Sequence, residues 1–172
     1  MKLISFNVRG LGSMLKRKEV AKLVRLERPD VLFLQETKLE KVEGNLCKLL
    51  LFSDDFEWVM KESVEAFGGM LCVWNKLEFE KQGEFSGDGF VGISCEWGSQ
   101  KLKRNIVNIY APNDRQKKVK LWEELRLKIL EEDGRWLIAR DFNVVRCVTK
   151  RKGKTRESLE MRDFDDFIVS AS

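Results

Sequence analysis

Histidine is absent from all 172 residues, and the chain has only one tyrosine and two prolines. No imidazole is therefore available for proton transfer or metal ligation. No apolar run approaches the roughly 20 residues needed to span a bilayer. The N-terminus passes from Met1-Lys2 directly into Leu3-Ile4-Ser5-Phe6-Asn7, without the long apolar segment and small-residue cleavage site of a secretory leader. An intracellular protein is the expectation. The four cysteines (Cys47, Cys72, Cys95, Cys147) are far apart and lack CxxC spacing, which argues against a metal cluster or a disulfide framework and for reduced thiols in the core. Internal repeats and linker-like composition are also missing, so one domain, residues 1–172, is expected.

What is present suits a globular fold. Hydrophobic residues make up 43% and charged residues 35%, a soluble balance, with five Trp and eleven Phe as bulky core material. The net charge of +4 is too modest to imply a nucleic-acid partner by itself. Its distribution is more pointed. Lys101 to Arg104 and Arg115 to Lys120 are basic, and Lys150-Arg151-Lys152-Gly153-Lys154-Thr155-Arg156 carries five positive charges in seven residues. Such clusters can neutralise phosphates, although most charge runs are solvated loops.

Periodicity outlines an alternation of helices and strands. Lys2 to Val8 reads as a buried strand ended by Gly10 and Gly12, with a helix from about Ser13 that stops before Pro29. Val31 to Leu34 is a short, wholly apolar strand of the kind covered on both faces. Residues 39–52 look helical, through Val42, Leu46, Leu49 and Leu50. Strands then dominate: Phe56 to Met60, Met70 to Trp74, and a hairpin of Val91 to Trp97 with Lys101 to Tyr110. A second amphipathic helix is expected from about Asp114 to Glu132, with Val119, Trp122, Leu125 and Ile129 as its stripe. A strand over Arg135 to Ala139 and a helix over Ser158 to Ser170 complete an α/β pattern with a strand-rich middle.

Polar residues able to hold a metal or a phosphate recur at three strand ends: Asn7; Gln35-Glu36-Thr37; and Asp141-Phe142-Asn143. Ligands in open α/β sheets bind beyond the carboxyl ends of strands. Two carboxylates and two amides gathered there would suit Mg2+ or Mn2+, which are held by one or two carboxylates plus waters and substrate phosphate. Each piece also has a plain reading. Asn7 can form a turn, Glu36 can favour the start of a helix through its dipole, and Asp141 and Asn143 are ordinary turn residues. Recurrence at three strand ends favours a site; spacing alone does not decide it.

The strings Ile4-Ser5-Phe6-Asn7-Val8-Arg9-Gly10-Leu11, Pro29 to Lys38, Gly68-Gly69, Asn108-Ile109-Tyr110-Ala111-Pro112-Asn113 and Asp141-Phe142-Asn143 occur in an order that resembles the endonuclease/exonuclease/phosphatase superfamily. Within it the chain is most similar to the apurinic-type endonuclease domain of LINE-type (non-LTR) retrotransposons. The resemblance implies a four-layer α/β/β/α sandwich and a metal-dependent DNA endonuclease using Mg2+ or Mn2+, and that substrate together with the basic run points to a nuclear location. It implies that Glu36 is the principal metal ligand with Asn7 beside it. Asp141 would orient or activate the attacking water, Asn143 would bind the scissile phosphate, and Tyr110 would hydrogen-bond that phosphate or stabilise its developing charge. DNA contacts would fall to Arg9, Arg115, Lys150, Arg151, Lys152, Lys154 and Arg156. A membrane or an obligate protein partner is not implied.

Two departures qualify these expectations. Related enzymes carry a further aspartate and an Asp-His pair near the C-terminus; this chain has no histidine and ends at Ser172, which implies a domain lacking its C-terminal portion and impaired in cleavage. Arg140 stands where the family has glycine, and strand alternation would turn it away from Asp141 into a packed layer. Two other readings therefore stay open. One is a non-catalytic nucleic-acid-binding remnant using Lys150 to Arg156 with Arg115, Lys117 and Lys118. The other is an inositol-phosphate or phospholipid phosphoesterase of the same superfamily.

Overall fold

Two four-stranded sheets face each other, each drawn from one half of the chain. The computed structural model describes residues 1–64, 67–143 and 158–170, without the side chains of Val64, Phe67 and Arg140. In the first sheet, β1 (Leu3–Asn7), β2 (Val31–Gln35), β3 (Phe56–Val64) and β4 (Phe67–Asn75) lie in the order β1-β2-β4-β3. The second sheet holds β5 (Phe79–Gly87), β6 (Phe90–Trp97), β7 (Leu102–Tyr110) and β8 (Arg135–Asp141) in sequence order. Both sheets are mixed: β1 runs parallel to β2 and β7 parallel to β8, while the other neighbours are antiparallel.

The parallel pairs need crossovers, and helices supply them. α1 (Met14–Glu27) joins β1 to β2 and α3 (Arg115–Glu131) joins β7 to β8. Each begins at a side-chain cap: Ser13 Oγ accepts from Lys16 N, and Asp114 Oδ1 accepts from Lys117 N. Such caps satisfy amides that the first turn leaves unpaired. The remaining helices are α2 (Gly44–Leu51) and α4 (Leu159–Ser170).

Three apolar layers follow. Phe33, Cys72, Trp74, Phe79, Ile93 and Ile106 fill the space between the sheets. Val20 and Val24 of α1 and Leu46, Cys47 and Leu50 of α2 pack with Leu32, Leu34, Leu71 and Val73 on the outer face of the first sheet. On the second sheet's outer face, Leu121, Trp122 and Leu125 of α3 meet Phe164 and Phe167 of α4 over Val107 and Ile109. The architecture is the expected four-layer α/β/β/α sandwich. β2 is buried at all five positions, as its unbroken apolar run implied.

Several boundaries differ from the sequence-based expectation. β1 is an edge strand, with Ser5 exposed and Phe6 44% exposed, so it is only partly buried. α2 begins at Gly44, and Val42 packs from the loop before it. On α3 the inward stripe is Lys118, Leu121, Trp122 and Leu125, whereas Val119 is 39% exposed. β5 was not foreseen. It is an edge strand whose glutamates and lysine face solvent, a common guard against edge-to-edge association that erases the apolar alternation of a strand.

Cys47, Cys72 and Cys95 are free and buried, and burial pushes the thiols of Cys47 and Cys95 up to about 12. They are inert core thiols. Cys147 lies outside the described residues. Among the described residues no helix is long and apolar enough to cross a membrane.

Candidate active site

The carboxyl ends of β1, β2, β7 and β8 meet at one end of the sandwich. Register explains why. Asn7 pairs with Gln35 in the first sheet, and Tyr110 pairs with Asp141 in the second. Each sheet thus brings two strand ends level, and face-to-face packing of the sheets opposes the two pairs.

Asn7 links them. Its Nδ2 donates to Glu36 Oε1 at 2.9 Å and to Asp141 Oδ2 at 2.8 Å. Tyr110 Oη donates to the same Glu36 Oε1 at 2.8 Å. Asn143 completes the group: its N–H donates to Asp141 Oδ1 at 3.3 Å, and its Nδ2 to the Ala111 carbonyl at 2.7 Å. All five residues expected at the site from the sequence, Asn7, Glu36, Tyr110, Asp141 and Asn143, are therefore brought together. Asn7 turns its nitrogen toward the carboxylates, while its Oδ1 accepts from Arg9 N at 3.1 Å.

The backbone here is held in an unusual shape. Arg9, Glu36, Lys38 and Asn143 all have left-handed φ, between 49° and 56°. Left-handed non-glycine residues cost free energy and cluster where the surrounding structure over-determines them. The restraint is visible: Gly10 N donates to Glu36 O, Leu11 N to Thr37 O, and Thr37 N and Lys38 N to the carbonyls of Gly69 and Gly68. Gly69 must be glycine, since its φ is +82° and a Cβ would lie 2.6 Å from Thr37 Oγ1.

The hydrogen bond from Asn7 holds the Glu36 carboxyl below its ordinary range. Partial burial works against this, while the Tyr110 hydroxyl and the charges of Lys38 and Arg9 add to it. Tyr110 moves the other way. Burial first, then its bond to Glu36 and the charges of Glu36 and Asp141, push the phenol up to about 12. Its folded value is raised, so the stability it lends is intact below about 10 and lost as pH rises through about 12. Because Tyr110 is the only tyrosine, an ultraviolet absorbance titration reads it alone. Absorbance should stay flat through the ordinary tyrosine range and rise only toward about 12. A midpoint near 10 would show that neither the burial of the phenol nor its contact with Glu36 is kept in solution.

The expected DNA-facing cations fare differently. Arg9 is exposed beside Glu36. Arg115 forms a two-pronged ion pair with Asp163 at 2.7 and 3.1 Å, tying α3 to α4. Lys118 is 3% exposed and unavailable to an external phosphate; its chain points inward from the stripe that Val119 was expected to occupy. Lys150, Arg151, Lys152, Lys154 and Arg156 lie outside the described residues, as does the Arg140 side chain.

Two residues near the site, Lys38 and Asn108, had no role assigned from sequence, and Gln35, expected among the metal- or phosphate-competent strand ends, is buried. Lys38 adds positive charge beside Glu36. Gln35 and Asn108 form a buried amide pair beneath the site, Gln35 Nε2 donating to Asn108 Oδ1 at 2.6 Å. A polar residue set among Ile106, Val107 and Ile109 is the signal that could have found Asn108.

The donor set of two carboxylates and an amide fits a hard divalent cation that keeps several of its waters. Among the described residues no three His, Cys, Asp or Glu side chains gather as a closed metal cage.

The fold has solved counterparts. The AP endonuclease LMAP from Leishmania major is 17% identical with a TM-score of 0.66, over 99% of this chain and 66% of that one. The APE2 catalytic domain of Xenopus laevis is 15% identical with a TM-score of 0.73, over 97% and 67%. D. rerio TDP2 complexed with single strand DNA product is 19% identical with a TM-score of 0.60, over 84% and 61%. The chain thus spans about two thirds of the length of these proteins. Such identities establish a shared fold. The family model for the Endonuclease/Exonuclease/phosphatase family matches residues 4–147, and with that match over most of its length the chain belongs to this family.

Proposed function

We propose that these 172 residues form a single divalent-metal-dependent phosphodiester hydrolase unit of DNA-endonuclease type, derived from a LINE-type retrotransposon, that engages DNA and cleaves it poorly. The observation that supports it most is the single amide of Asn7 bonded to both Glu36 and Asp141, residues at the strand ends of two different sheets. An arrangement made across 134 positions of sequence is not a local turn.

A bound Mg2+ or Mn2+, held by Glu36 with Asn7, would polarise a phosphoryl oxygen and offset the charge that builds there. The chain's own groups do the rest. Asp141, fixed by hydrogen bonds on both oxygens, orients a water and accepts its proton. Tyr110, kept protonated by burial and by Glu36, would turn its one hydroxyl hydrogen from Glu36 toward a phosphate oxygen. Arg9 and Lys38 set positive charge beside the entry to Glu36. Asn7 acts as a ligand through its oxygen once its amide reverses, since in this arrangement the nitrogen faces the carboxylates. Poor cleavage follows from the absence of histidine in the sequence. Losing one member of a catalytic unit removes most of its rate advantage.

The test pairs nicking of supercoiled plasmid in Mg2+ with DNA binding across a salt series. We expect binding that weakens steeply with salt, as phosphate neutralisation requires, and nicking far below that of a histidine-containing relative. Nicking equal to such a relative would overturn the impairment. Salt-independent binding, or none at low salt, would overturn the DNA assignment. Phosphate release from inositol phosphates with no DNA binding would move the substrate to that class.

A further inference from the structure

Lys118, at the end of the first turn of α3, is a buried cation that the proposed chemistry leaves unused. Taking an ammonium out of water costs several kcal/mol unless acceptors meet it. Two do. Lys118 Nζ donates to the Asn143 carbonyl oxygen at 3.1 Å and to Glu160 Oε2 at 3.3 Å. Three segments converge on this one group: α3, the turn that follows β8, and the first turn of α4.

The bond to Asn143 matters most. Asn143 sits in the left-handed region, φ 49°, so its peptide orientation is not the one a free chain prefers. From it a continuous path of hydrogen bonds runs into the site. Asn143 N–H donates to Asp141 Oδ1 at 3.3 Å, Asp141 Oδ2 accepts from Asn7 Nδ2 at 2.8 Å, and the same Nδ2 reaches Glu36 at 2.9 Å. On the far side, Asn143 Nδ2 is anchored on Ala111 O at 2.7 Å. The Asn143 turn is thus held at its side chain and at its carbonyl, and the carbonyl hold comes from the ammonium.

We propose that Lys118 is a positioning residue of the carboxylate–amide site, fixing the Asn143 turn and through it the orientation of Asp141. This rests on the reading of Asp141 and Asn143 as water- and phosphate-directing groups. Lys118 itself contacts neither carboxylate of the site. The competing role is a plain tether, in which the ion pair with Glu160 merely fastens α4 to α3. The two differ in which partner matters. Glu160→Gln removes the charge of the tether and leaves the Asn143 bond. Lys118→Met removes both and keeps the apolar stem.

The experiment uses the full chain, with 15N NMR of the Asn7 side-chain amide and the Asn143 backbone amide, and Mn2+ titration as a separate readout. In Lys118→Met we expect both resonances to move and Asn143 amide exchange to accelerate about tenfold, since the turn is no longer held with that amide against Asp141 Oδ1. Mn2+ affinity should fall several-fold. Glu160→Gln should leave both resonances and the Mn2+ affinity in place, and Lys118→Arg should restore most of what methionine loses. Should Lys118→Met not fold, Lys118→Leu takes its place with the same expectations. Unmoved Asn7 and Asn143 resonances on removing the ammonium, or equal movement in Glu160→Gln, would overturn the positioning role. Wild-type chain that binds no Mn2+ would overturn the metal reading instead, and the resonances would still decide the role of Lys118.

Discussion

Glu36→Ala should lower the affinity of the chain for Mn2+ by at least about 100-fold, or ~2.7 kcal/mol. The carboxylate is the one group at the site that both Asn7 and Tyr110 address, and their hydrogen bonds hold it ionised and aimed. Truncation removes the charge and frees both partners, so the loss exceeds the 10- to 100-fold typical of removing a mere supporting contact. Titration calorimetry or Mn2+ spin-resonance measures it. The pH dependence has a definite sign. The folded-state value of Glu36 is lowered from 4.5, so binding should hold steady down through the ordinary carboxylate range and weaken only on further acidification. The same shift means that the stability Glu36 contributes is present above that range and lost as pH falls through its lowered value. Unchanged Mn2+ binding in Glu36→Ala would place the ion elsewhere on the protein.

Asn108→Ala should destabilise the fold by about 4 kcal/mol, as measured by urea unfolding. Asn108 is wholly buried on β7, and its amide crosses the space between the sheets. Nδ2 donates to the carbonyls of Leu34 and Leu71, on β2 and β4, at 3.1 and 3.2 Å, while Oδ1 accepts from Gln35 at 2.6 Å. Alanine strands these groups in an apolar layer, each at about 1–3 kcal/mol. Gln35 retains a bond to Ser5 Oγ at 3.0 Å, which limits the damage. A loss under about 1 kcal/mol would show that water enters and replaces the amide. Because Gln35 adjoins Glu36 and Asn108 lies two residues before Tyr110, a loosened pair should also disturb the bond between Glu36 and Tyr110.

The parts of this fold that were legible in the sequence are those whose residues report a local cause. β2 announced itself because a strand covered on both faces needs an unbroken apolar run. α1 and α3 began where Ser13 and Asp114 could cap them. The site residues were legible because polar side chains stood at strand ends. What stayed hidden depends on neighbours distant in the chain. β1 has the composition of a core strand yet lies at an edge, and β5 has the composition of a loop yet pairs with β6. Lys118 looked like one more solvated charge of a basic helix, and only the approach of Asn143 and Glu160 gives it reason to be buried. The left-handed turns at Arg9, Glu36 and Lys38 were equally silent, since none is glycine or asparagine and the restraint comes from Gly68 and Gly69 across the sheet.

Each sheet comes from its own stretch of chain, residues 3–75 and 79–141, and the site straddles the two. Folding therefore has an order imposed on it. A nascent chain that has released only its first half carries Asn7 and Glu36 with nothing opposite them, and the contacts that fix them, from Asp141 and Tyr110, form only once the sheets have docked. An ion held by Glu36 as proposed would bind the docked state more tightly than the open half and add that difference to its stability, as any ligand that prefers the native form does. The cation would act as a late clasp on a slow, long-range assembly, and chelators should speed the parting of the sheets rather than slow their individual formation.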